Sequence, residues 1–544
     1  MVRFAGFGFS RAGDMPKMRT RFPFIRALLG ASVALAALAS SAGAADPPPG
    51  AVMSDSLDYV GRLPGTGTVI EGKFDKVSGR DILVVDGSWG LQTFDVSDPE
   101  KPVALGTFLP PGLQPGGFWE GEDLDIDPTR RLAFMSMDPR HVDVDQASCP
   151  GTGHQSSKTR NPSCRSGIVV VSYADPANLR QVGDFIDVPA GHTTSCIEHC
   201  RFLWTNGPAR RDDQIPLFGT YVPGGMGDGR PAWVTDMRNP AKPSVFPDPI
   251  DLHRNDGVTD YTHDIQVDAD GIAWASGRGG VRGYATRGDY RDPATGERRP
   301  ATPWNPILVA GGGVAGVSTP SAMFMHNSMH PLNGKVHAAG VADGNILVGT
   351  EEQFNGDCAT DGRLVFSDLT DSLGGEPAQH STPQNPYRMR AISTWHPLLN
   401  TTEGNRGDTN DCSAHYFDIE GATLTQAWYS QGTRVLDISD AANPRQIAYF
   451  RVQSNGSPDN PSSVVWDTTF HDGLLWVFDN RRGVEVLKPK FSTSDPQGMA
   501  SVVAPAAKED VFAAVAVGDR SAGLVCPLFA DSPATVQAKA AASN

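Results

Sequence analysis

The chain has 544 residues, of which 39% are hydrophobic and 20% charged, and its formal net charge is −16. An acidic surface repels phosphate backbones, which argues against nucleic acid as a partner. The apolar and aromatic content is too high for general disorder. The 59 glycines and 43 prolines follow no Gly-X-Y period, which excludes collagen and indicates a large β protein with many turns.

Residues 1–44 are typical of a secretory signal peptide. Basic residues between Lys17 and Arg26 precede an apolar run over Ala27–Ala39, and Ala42–Ala44 has the small residues of a cleavage site. The run is too short to span a bilayer, so we expect a periplasmic or secreted protein with no membrane span in the mature chain. A membrane anchor is the alternative. Residues 45–54 are predicted to form a proline-rich linker.

A pattern of two apolar strands around a polar turn recurs along the chain. It occurs as ILVVDGSWGLQTFDVSDPEKPVALGTF from Ile82 and as TRVLDISDAANPRQIAYF from Thr433, with further copies from Ile168 and Trp233. Asp, Ser and Asn side chains bond the local backbone and Pro fixes φ, so each copy is predicted to be a hairpin. Because a lone hairpin cannot bury its apolar face, the copies must stack.

Each hairpin follows another strand-turn-strand segment, as in HDIQVDADGIAWASG from His263. Four-stranded units repeated around a ring make a β-propeller. We therefore predict an all-β fold, a seven-bladed β-propeller over residues 55–490, closed by pairing of residues near 55–75 with the last blade. The predicted blades start near Lys73, Glu122, His192, His263, His326, His415 and Trp466. Long loop insertions are predicted around 140–165, 203–232, 286–320 and 354–412, and an Ala-rich tail over 491–544.

The repeats resemble those of the LVIVD-repeat family of β-propeller proteins. ILVVDGSWGLQTFDVSDPEKPVALGTF carries the family pattern. The phrases HTTSCIEHCRFLW, HDIQVDADGIAW, TEEQF and CSAHYFDIEGATLTQAWYSQGTRVLDISD are similar to an exported bacterial branch of that family. The resemblance covers most of residues 75–490. It implies the propeller fold and brings no established activity with it.

Five predicted innermost strands begin with a histidine or a glutamate. His263 and His326 each lie eight residues before a turn glycine, and His192 and Glu122 occupy the same register. His415 matches with a two-residue deletion in its turn. The innermost strands of all blades line one channel, so residues at equal register should lie at equal depth. These five side chains are therefore expected to converge.

Imidazoles that converge from four blades offer a metal site. Neutral nitrogens suit copper or iron(II), and zinc is also compatible. Glu122 would bind the ion or hold the second ring nitrogen of a ligand. Glu351 and Glu352 end a strand that should return to the same face, where they would orient the ligands. The alternative is structural, because recurring histidines in repeats can hold turns by hydrogen bonds, with water in the channel.

Seven cysteines fit an oxidising compartment. Proximity along the chain suggests three disulfides and leaves Cys526 over. The suggested pairs are Cys149–Cys164, Cys196–Cys200 and Cys358–Cys412. Alternatively, Cys196 and Cys200 bind a metal together with His199, which lies between them.

Asp123, Asp125 and Asp127 alternate along one predicted strand and would share one of its faces. Carboxylates in this arrangement offer oxygen ligands to calcium. The run lacks the glycine turn of a calcium-binding loop, which favours an ordinary strand.

Two functions are compatible with these residues. In the first, the protein is a metal-dependent oxidoreductase that acts on a small-molecule substrate at the histidine ring. In the second, it is a non-catalytic exported scaffold whose insertions bind a protein or a glycan. Analogy with other propeller metalloenzymes concerns architecture alone and names no substrate.

Overall fold

The strands and polar turns of the sequence form seven antiparallel sheets of four or five strands in a computed structural model. These sheets are the blades of a seven-bladed β-propeller, as predicted. The described part of the chain contains no α-helix. The structure describes residues 45–87, 89–110, 121–137, 167–188, 191–207, 231–252, 262–277, 280–293, 295–312, 325–352, 362–370, 389–397, 413–453 and 460–504.

Strands are numbered in chain order, and each blade is given from its innermost strand outward. Blade one consists of β3 (Val69–Val77), β4 (Arg80–Gly87), β5 (Gly90–Asp95) and β6 (Val103–Phe108). Blade two consists of β7 (Asp125–Asp127), β8 (Leu132–Met137), β9 (Gly167–Ser172), β10 (Arg180–Gln181) and β11 (Ile186–Asp187). Blade three consists of β12 (Thr193–Ile197), β13 (Phe202–Asn206), β14 (Pro231–Asp236), β15 (Ser244–Val245) and β16 (Ile250–Asp251).

The remaining blades follow the same order. Blade four consists of β17 (Thr262–Val267), β18 (Ile272–Gly277), β19 (Gly280–Ala285) and β22 (Ile307–Gly312), with a hairpin of β20 (Asp289–Arg291) and β21 (Arg298–Pro300). Blade five consists of β23 (Met325–Met329), β24 (Ile346–Glu351), β25 (Leu364–Asp368) and β26 (Arg390–Trp395). Blade six consists of β27 (Phe417–Glu420), β28 (Thr423–Ala427), β29 (Thr433–Asp437), β30 (Arg445–Val452) and β1 (Ala51–Met53). Blade seven consists of β31 (Val465–His471), β32 (Leu474–Asp479), β33 (Gly483–Pro489) and β2 (Leu57–Arg62).

The N-terminal segment closes the ring. β2 pairs with β33, with Leu57 opposite Pro489, so the outermost strand of the last blade comes from the start of the propeller, as predicted. β1 pairs with β30, with Ala51 opposite Val452. The predicted 45–54 linker is therefore wrong at Ala51–Met53, which form a strand. An open strand edge offers backbone groups with which a short apolar segment can pair.

Of the eight hydrophobic clusters among the described residues, seven each lie between two neighbouring blades. Between blades three and four, Trp204 and Val234 belong to one cluster with Ala275. Between blades seven and one, Trp476 and Val85 share another. Because each blade buries both faces, its central strands are continuous apolar runs. The ring must close for every blade to be covered.

An aspartate at the end of the third strand fixes the next turn in four blades. One of its carboxylate oxygens accepts a hydrogen bond from the backbone N–H two residues later, and this Asx turn is the physical basis of the repeat. The pairs are Asp95 with Ser97 (3.1 Å), Asp236 with Arg238 (3.0 Å), Asp368 with Thr370 (2.8 Å) and Asp437 with Ser439 (3.0 Å).

Two of the predicted loop insertions contain outermost strands. β22 lies inside 286–320 and β26 lies inside 354–412, so these ranges are only partly insertions. Both strands are far from the preceding repeat, because β22 follows the β20–β21 hairpin and β26 follows residues outside the described part of the chain. Without an Asp-Pro turn before them, they resemble ordinary apolar loop segments.

A buried polar contact holds the closing strand. Tyr59 of β2 donates its hydroxyl to the carboxylate of Glu485 in β33. Arg482 binds the same carboxylate, with Nε 2.7 Å from Oε1. Burial and the charge of Glu485 raise the pKa of Tyr59 far above its ordinary value, so the hydroxyl keeps its proton and remains a donor.

Tyr59→Phe is expected to lower the free energy of unfolding by about 1–3 kcal/mol, because Glu485 loses a donor while it stays buried. Urea unfolding followed by tryptophan fluorescence measures the change. Tyr290→Phe in β20 is the control, since Tyr290 forms no side-chain hydrogen bond with a described residue. An unchanged unfolding midpoint for Tyr59→Phe would show that this contact does not hold the closing strand.

Candidate metal centre

Five acidic and imidazole side chains meet at one end of the channel, where the innermost strands begin; we call this the upper end. They come from five consecutive blades, two to six, and all are fully buried. They are the five residues whose equal register predicted convergence: Glu122, His192, His263, His326 and His415. We call them the histidine ring.

The carboxylate of Glu122 lies in the middle of the histidine ring. Its Oε2 lies 2.6 Å from Nε2 of His192, 3.0 Å from Nε2 of His263 and 3.8 Å from Nε2 of His326. Its Oε1 lies 3.2 Å from Nε2 of His415. All four imidazoles therefore direct the same ring nitrogen towards one carboxylate.

Backbone carbonyls of the neighbouring blade fix two of these imidazoles. Nδ1 of His263 lies 3.2 Å from the carbonyl oxygen of His326, and Nδ1 of His415 lies 2.6 Å from that of Trp466. A carbonyl oxygen only accepts hydrogen bonds, so each Nδ1 carries the proton. In a neutral ring, Nε2 then has a lone pair directed at Glu122.

Two of the nitrogen lone pairs thus face carboxylate oxygens of Glu122 at 3.0 and 3.2 Å. Lone pairs at that distance repel each other. A proton or a metal ion between them removes the repulsion. Nε2 of His192 lies 3.0 Å from Nε2 of His263 and 2.6 Å from Oε2 of Glu122, so a neutral His192 that carries its proton on Nε2 can donate to either. The donor set therefore fits a bound cation.

Burial decides the charge of these groups. Burial alone would raise the pKa of Glu122, but the charge of His192 and the hydrogen bonds of the neighbouring imidazoles hold it well below its ordinary value. Burial lowers the pKa of His263 to about 4, although Glu122 acts in the opposite direction. Burial and the charges of His415 and His263 lower the pKa of His326 well below its ordinary value. Protonation is therefore disfavoured at His263 and His326.

His326 completes the ring without a hydrogen bond. Neither of its ring nitrogens forms one with a described residue. Its Nε2 lies 3.8 Å from Glu122 and 3.9 Å from Oε2 of Glu352. Its ring packs on His263 and His415, with centroids 4.3 and 3.9 Å away.

The two predicted ligand-orienting glutamates have different roles. Glu352 is fully buried, and its Oε1 lies 3.9 Å from Nε2 of His415. One donor atom each from His326, Glu352 and His415 lie within 4.8 Å of one another. Glu351 instead binds Nε of Arg363 at 2.9 Å. Glu352 thus lies beside the histidine ring, while Glu351 forms an ion pair with Arg363.

Tyr429 holds Glu352 and was missed by sequence reasoning. It donates its hydroxyl to Oε1 of Glu352, and its ring lies 5.0 Å from that of His415. It belongs to the β28–β29 turn and has a positive φ of 32°. Spacing along the innermost strands gave no signal for it, because it lies outside them.

Blades one and seven close the ring with apolar side chains. Ile70, Val464 and Trp466 form a small buried cluster with Tyr429, and the Trp466 ring lies 5.2 Å from His415. The sequence register placed Lys73 at this level of blade one, and that alignment was wrong. Ile70, three residues before Lys73, packs with Trp466 and Tyr429 at the upper level of blade one.

Cys196 and Cys200 form a disulfide across the turn between β12 and β13. Cys200 has a φ of 57°, like Gly271 in the equivalent turn of blade four, where φ is 83°. The alternative of a metal site with His199 is wrong in this structure, because sulfurs in a disulfide are not thiolate ligands. The suggested pairs Cys149–Cys164 and Cys358–Cys412 lie outside the described residues.

Two histidines outside the ring, the partly buried His330 and the surface residue His337, have local hydrogen-bond partners. Nδ1 of His330 lies 2.7 Å from Oδ2 of Asp268, and its Nε2 lies 2.6 Å from the carbonyl of Gly344. His337 contacts Asp343 at 2.8 Å on the surface. Both histidines are thus held by local hydrogen bonds outside the histidine ring.

No protein-family model matches the chain, and no curated protein matches it either. The membership of the LVIVD-repeat family therefore stays a prediction. Solved structures with some likeness include the extracellular domain of BT4673 from B. thetaiotaomicron, with 10% identity and a TM-score of 0.40. The match covers 79% of this chain and 39% of that one. The WD40 propeller domain of Doa1 has 7% identity and a TM-score of 0.41, over 79% of this chain and 96% of that one.

Among the described residues, no helix is long and apolar enough to cross a membrane.

In metal-free protein with ¹⁵N-labelled histidine, we expect NMR spectra to show the Nδ1–H tautomer for His263 and His415. His263 should stay neutral as the pH falls to about 4, because burial disfavours its charged form. In the urea-unfolded chain it should titrate near 6.5. His263→Gln and His415→Gln assign the signals. An Nε2–H tautomer, or a titration of folded His263 near 6.5, would contradict this geometry.

Proposed function

We propose that this protein is an exported metalloprotein that binds one transition-metal ion in the histidine ring. The observation that carries the proposal is the convergence of four imidazole Nε2 atoms on the buried carboxylate of Glu122, with those of His263 and His415 3.0 and 3.2 Å from its oxygens. Burial lowers the pKa of His263 to about 4, so its imidazole is neutral at neutral pH and offers Nε2 as a ligand. A metal ion would bind these nitrogens and the carboxylate together.

The donor set favours copper or iron(II). Four imidazole nitrogens and the Glu122 carboxylate exceed the four ligands of a closed tetrahedral zinc site. Nitrogen with a carboxylate suits iron(II) and copper(II), which accept more than four ligands. Zinc stays compatible if only part of the ring binds. Glu352 lies close enough to adjust the charge of the site.

We propose further that the protein is an oxidoreductase acting on a small-molecule substrate. A bound copper or iron ion would supply one-electron chemistry. The chain's own contribution is a fully buried set of ligands, beside which Tyr429 holds Glu352 and the apolar side chains of Ile70 and Trp466 pack. The signal-like N-terminus supports a periplasmic or secreted location, where such an ion would be acquired.

A scaffold that binds a protein or glycan is the second candidate function. An aromatic patch between blades three and four, in which Trp304 is exposed and Phe202 is buried, favours it. The ring of Trp304 is 43% exposed and stacks on Phe246, with centroids 5.6 Å apart. Arg238 lies over the ring of Phe202 in the same patch. Flat aromatic surfaces of this kind suit sugar rings or protein partners.

Elemental analysis decides between the two. The full chain, exported from a bacterial host and purified without chelator, should contain about one copper or iron ion per molecule under the metalloprotein proposal. The double variant His263→Ala and His326→Ala should lose the ion, because two of the four nitrogen ligands are gone. His337→Ala is the control, since His337 is a surface residue.

Circular dichroism of each variant checks that the propeller is folded. EDTA treatment should lower the melting temperature of the wild type, because a bound ion stabilises the folded state alone. Folded, metal-free wild type with an EDTA-independent melting temperature would exclude the metalloprotein and leave the scaffold.

Tyr429→Phe is expected to weaken metal binding about 10–100-fold, since partners that hold a ligating side chain contribute that much to affinity. Competition with a chelator of known affinity measures the change. Tyr290→Phe is again the control. If the affinity of Tyr429→Phe equals that of the wild type, Glu352 takes no part in holding the ion.

A further inference from the structure

One imidazole and two carboxylates meet where blades one and seven adjoin, at the end of the innermost strands opposite to the histidine ring. Asp81 belongs to β4 of blade one, His471 is the last residue of β31 in blade seven, and Asp472 follows it in the turn. One donor atom from each of the three lies within 4.8 Å of the other two. We call these three residues the junction triad.

The distances within the junction triad are those of ligands around one ion. Nε2 of His471 lies 3.7 Å from Oδ1 of Asp81 and 3.7 Å from Oδ2 of Asp472. These distances are too long for hydrogen bonds. Two ligands that each lie about 2.0–2.2 Å from a tetrahedral zinc ion are about 3.3–3.6 Å apart. The spacing is therefore close to that of a shared ion.

Two of the three donor atoms have no hydrogen bond. Nε2 of His471 and Oδ1 of Asp81 are inaccessible to solvent, and neither forms a hydrogen bond with a described residue. Buried polar atoms usually have such a partner. A cation between the nitrogen and the oxygen would satisfy both. The side chain of Asp472 is 62% exposed, so the third ligand leaves a path from solvent.

The surrounding residues fix the orientation of the triad. The ring of His471 stacks on Phe74 of β3, with centroids 3.9 Å apart and planes inclined by 8°. Trp476 packs edge-on against the same phenylalanine at 5.0 Å. Asp472 and Gly473 have φ values of 48° and 72°, as in a type I′ hairpin turn. Ligands held in this way lose little entropy when they bind an ion.

Lys76 is a competing cation for Asp81. Its Nζ lies 3.3 Å from Oδ1 and 3.4 Å from Oδ2 of the aspartate. The lysine side chain is 67% exposed, and exposed ion pairs contribute little to stability. The ammonium group can therefore be displaced from Asp81 at small cost, and it forms no hydrogen bond with Nε2 of His471.

The donor atoms of the triad select zinc. Zinc binds imidazole nitrogen together with carboxylate oxygen, and three protein ligands with one water complete a tetrahedron. Calcium and magnesium prefer oxygen ligands alone, so the imidazole of His471 is a poor ligand for them. The exposed side of Asp472 leaves room for the water.

We propose that Asp81, His471 and Asp472 bind a zinc ion that links blade one to blade seven. The ion stabilises the closed ring, because the first and the last blade supply its ligands. This site differs from the histidine ring in its position, its ligands and its exposure to solvent. It does not depend on a metal ion in the histidine ring.

The first test is zinc titration of the full chain by isothermal titration calorimetry, after EDTA treatment and dialysis. The wild type should bind one zinc ion more than His471→Ala, whether or not the histidine ring also takes up zinc. His337→Ala is the matched control, because His337 and Asp343 are an exposed pair joined by a direct contact of 2.8 Å. This control should bind as many zinc ions as the wild type.

The melting temperature gives a second readout of the same site. Zinc should raise the melting temperature of the wild type more than that of His471→Ala, because a bound ion stabilises the folded state alone. An equal rise in both proteins would contradict a link between the two blades.

Lys76→Gln should bind zinc at the junction triad about two- to fivefold more tightly, because the competing charge beside Asp81 is removed. The same titration measures the change. An equal or weaker affinity would show that Asp81 is not a ligand, and the proposed site would then be wrong.

Asp472→Asn replaces His471→Ala if the alanine variant fails to fold, since asparagine tolerates a positive φ. It should weaken zinc binding at the triad about tenfold or more, because a charged ligand becomes neutral. Equal zinc binding in the wild type and in these variants would overturn the proposal. Copper or iron in the histidine ring is a separate outcome, because it should be lost in His263→Ala with His326→Ala and retained in His471→Ala.

Discussion

The contact between one buried carboxylate and four imidazoles is the constraint on which the upper channel depends. Glu122 and His415 are 293 positions apart in the sequence, yet their side chains are 3.2 Å apart. They can meet only if the blades between them are complete and the ring is closed. Closure in turn depends on β2, whose Tyr59 is held to Glu485. A contact in the last blade thus supports geometry in blades two to six.

The protein can keep charged groups buried at the level of the histidine ring because its own polar groups take the place of the water that would solvate them. Each imidazole whose Nδ1 is bound to a neighbouring carbonyl has a fixed orientation, so little entropy is lost when its Nε2 binds an ion. The apolar side chains of Ile70 and Trp466 keep solvent from one side. The same dry surroundings make an uncompensated carboxylate costly, which is why the charge on Glu122 needs a cation beside it.

Much of this was readable in the sequence. Asx turns at residues such as Asp95 and Asp437 revealed the repeat, and equal spacing revealed which side chains converge. The features that the sequence did not reveal depend on pairing between segments that are far apart in the chain. β1 was predicted as linker, since an edge strand has no turn signal of its own. Lys73 was aligned three residues too far along, because no histidine or glutamate marks this level in blade one, where Ile70 lies. Tyr429 was missed because it lies in a turn, outside the innermost strands whose spacing was compared.

The acidic run at Asp123 and Asp125 also shows that the spacing of residues along one strand does not reveal their contacts with other strands. On its own strand it lacks the glycine turn of a calcium-binding loop, and the sequence therefore favoured an ordinary strand. In the structure, Asp125 and Asp127 lie in the ordinary strand β7. Oδ2 of Asp125 accepts a hydrogen bond from the backbone N–H of Cys196 at 2.6 Å, and Oδ1 of Asp127 accepts one from that of Thr129 at 2.9 Å. These carboxylates therefore bind the backbone of their own turn and of the next blade, which is what an acidic strand without a glycine turn allows.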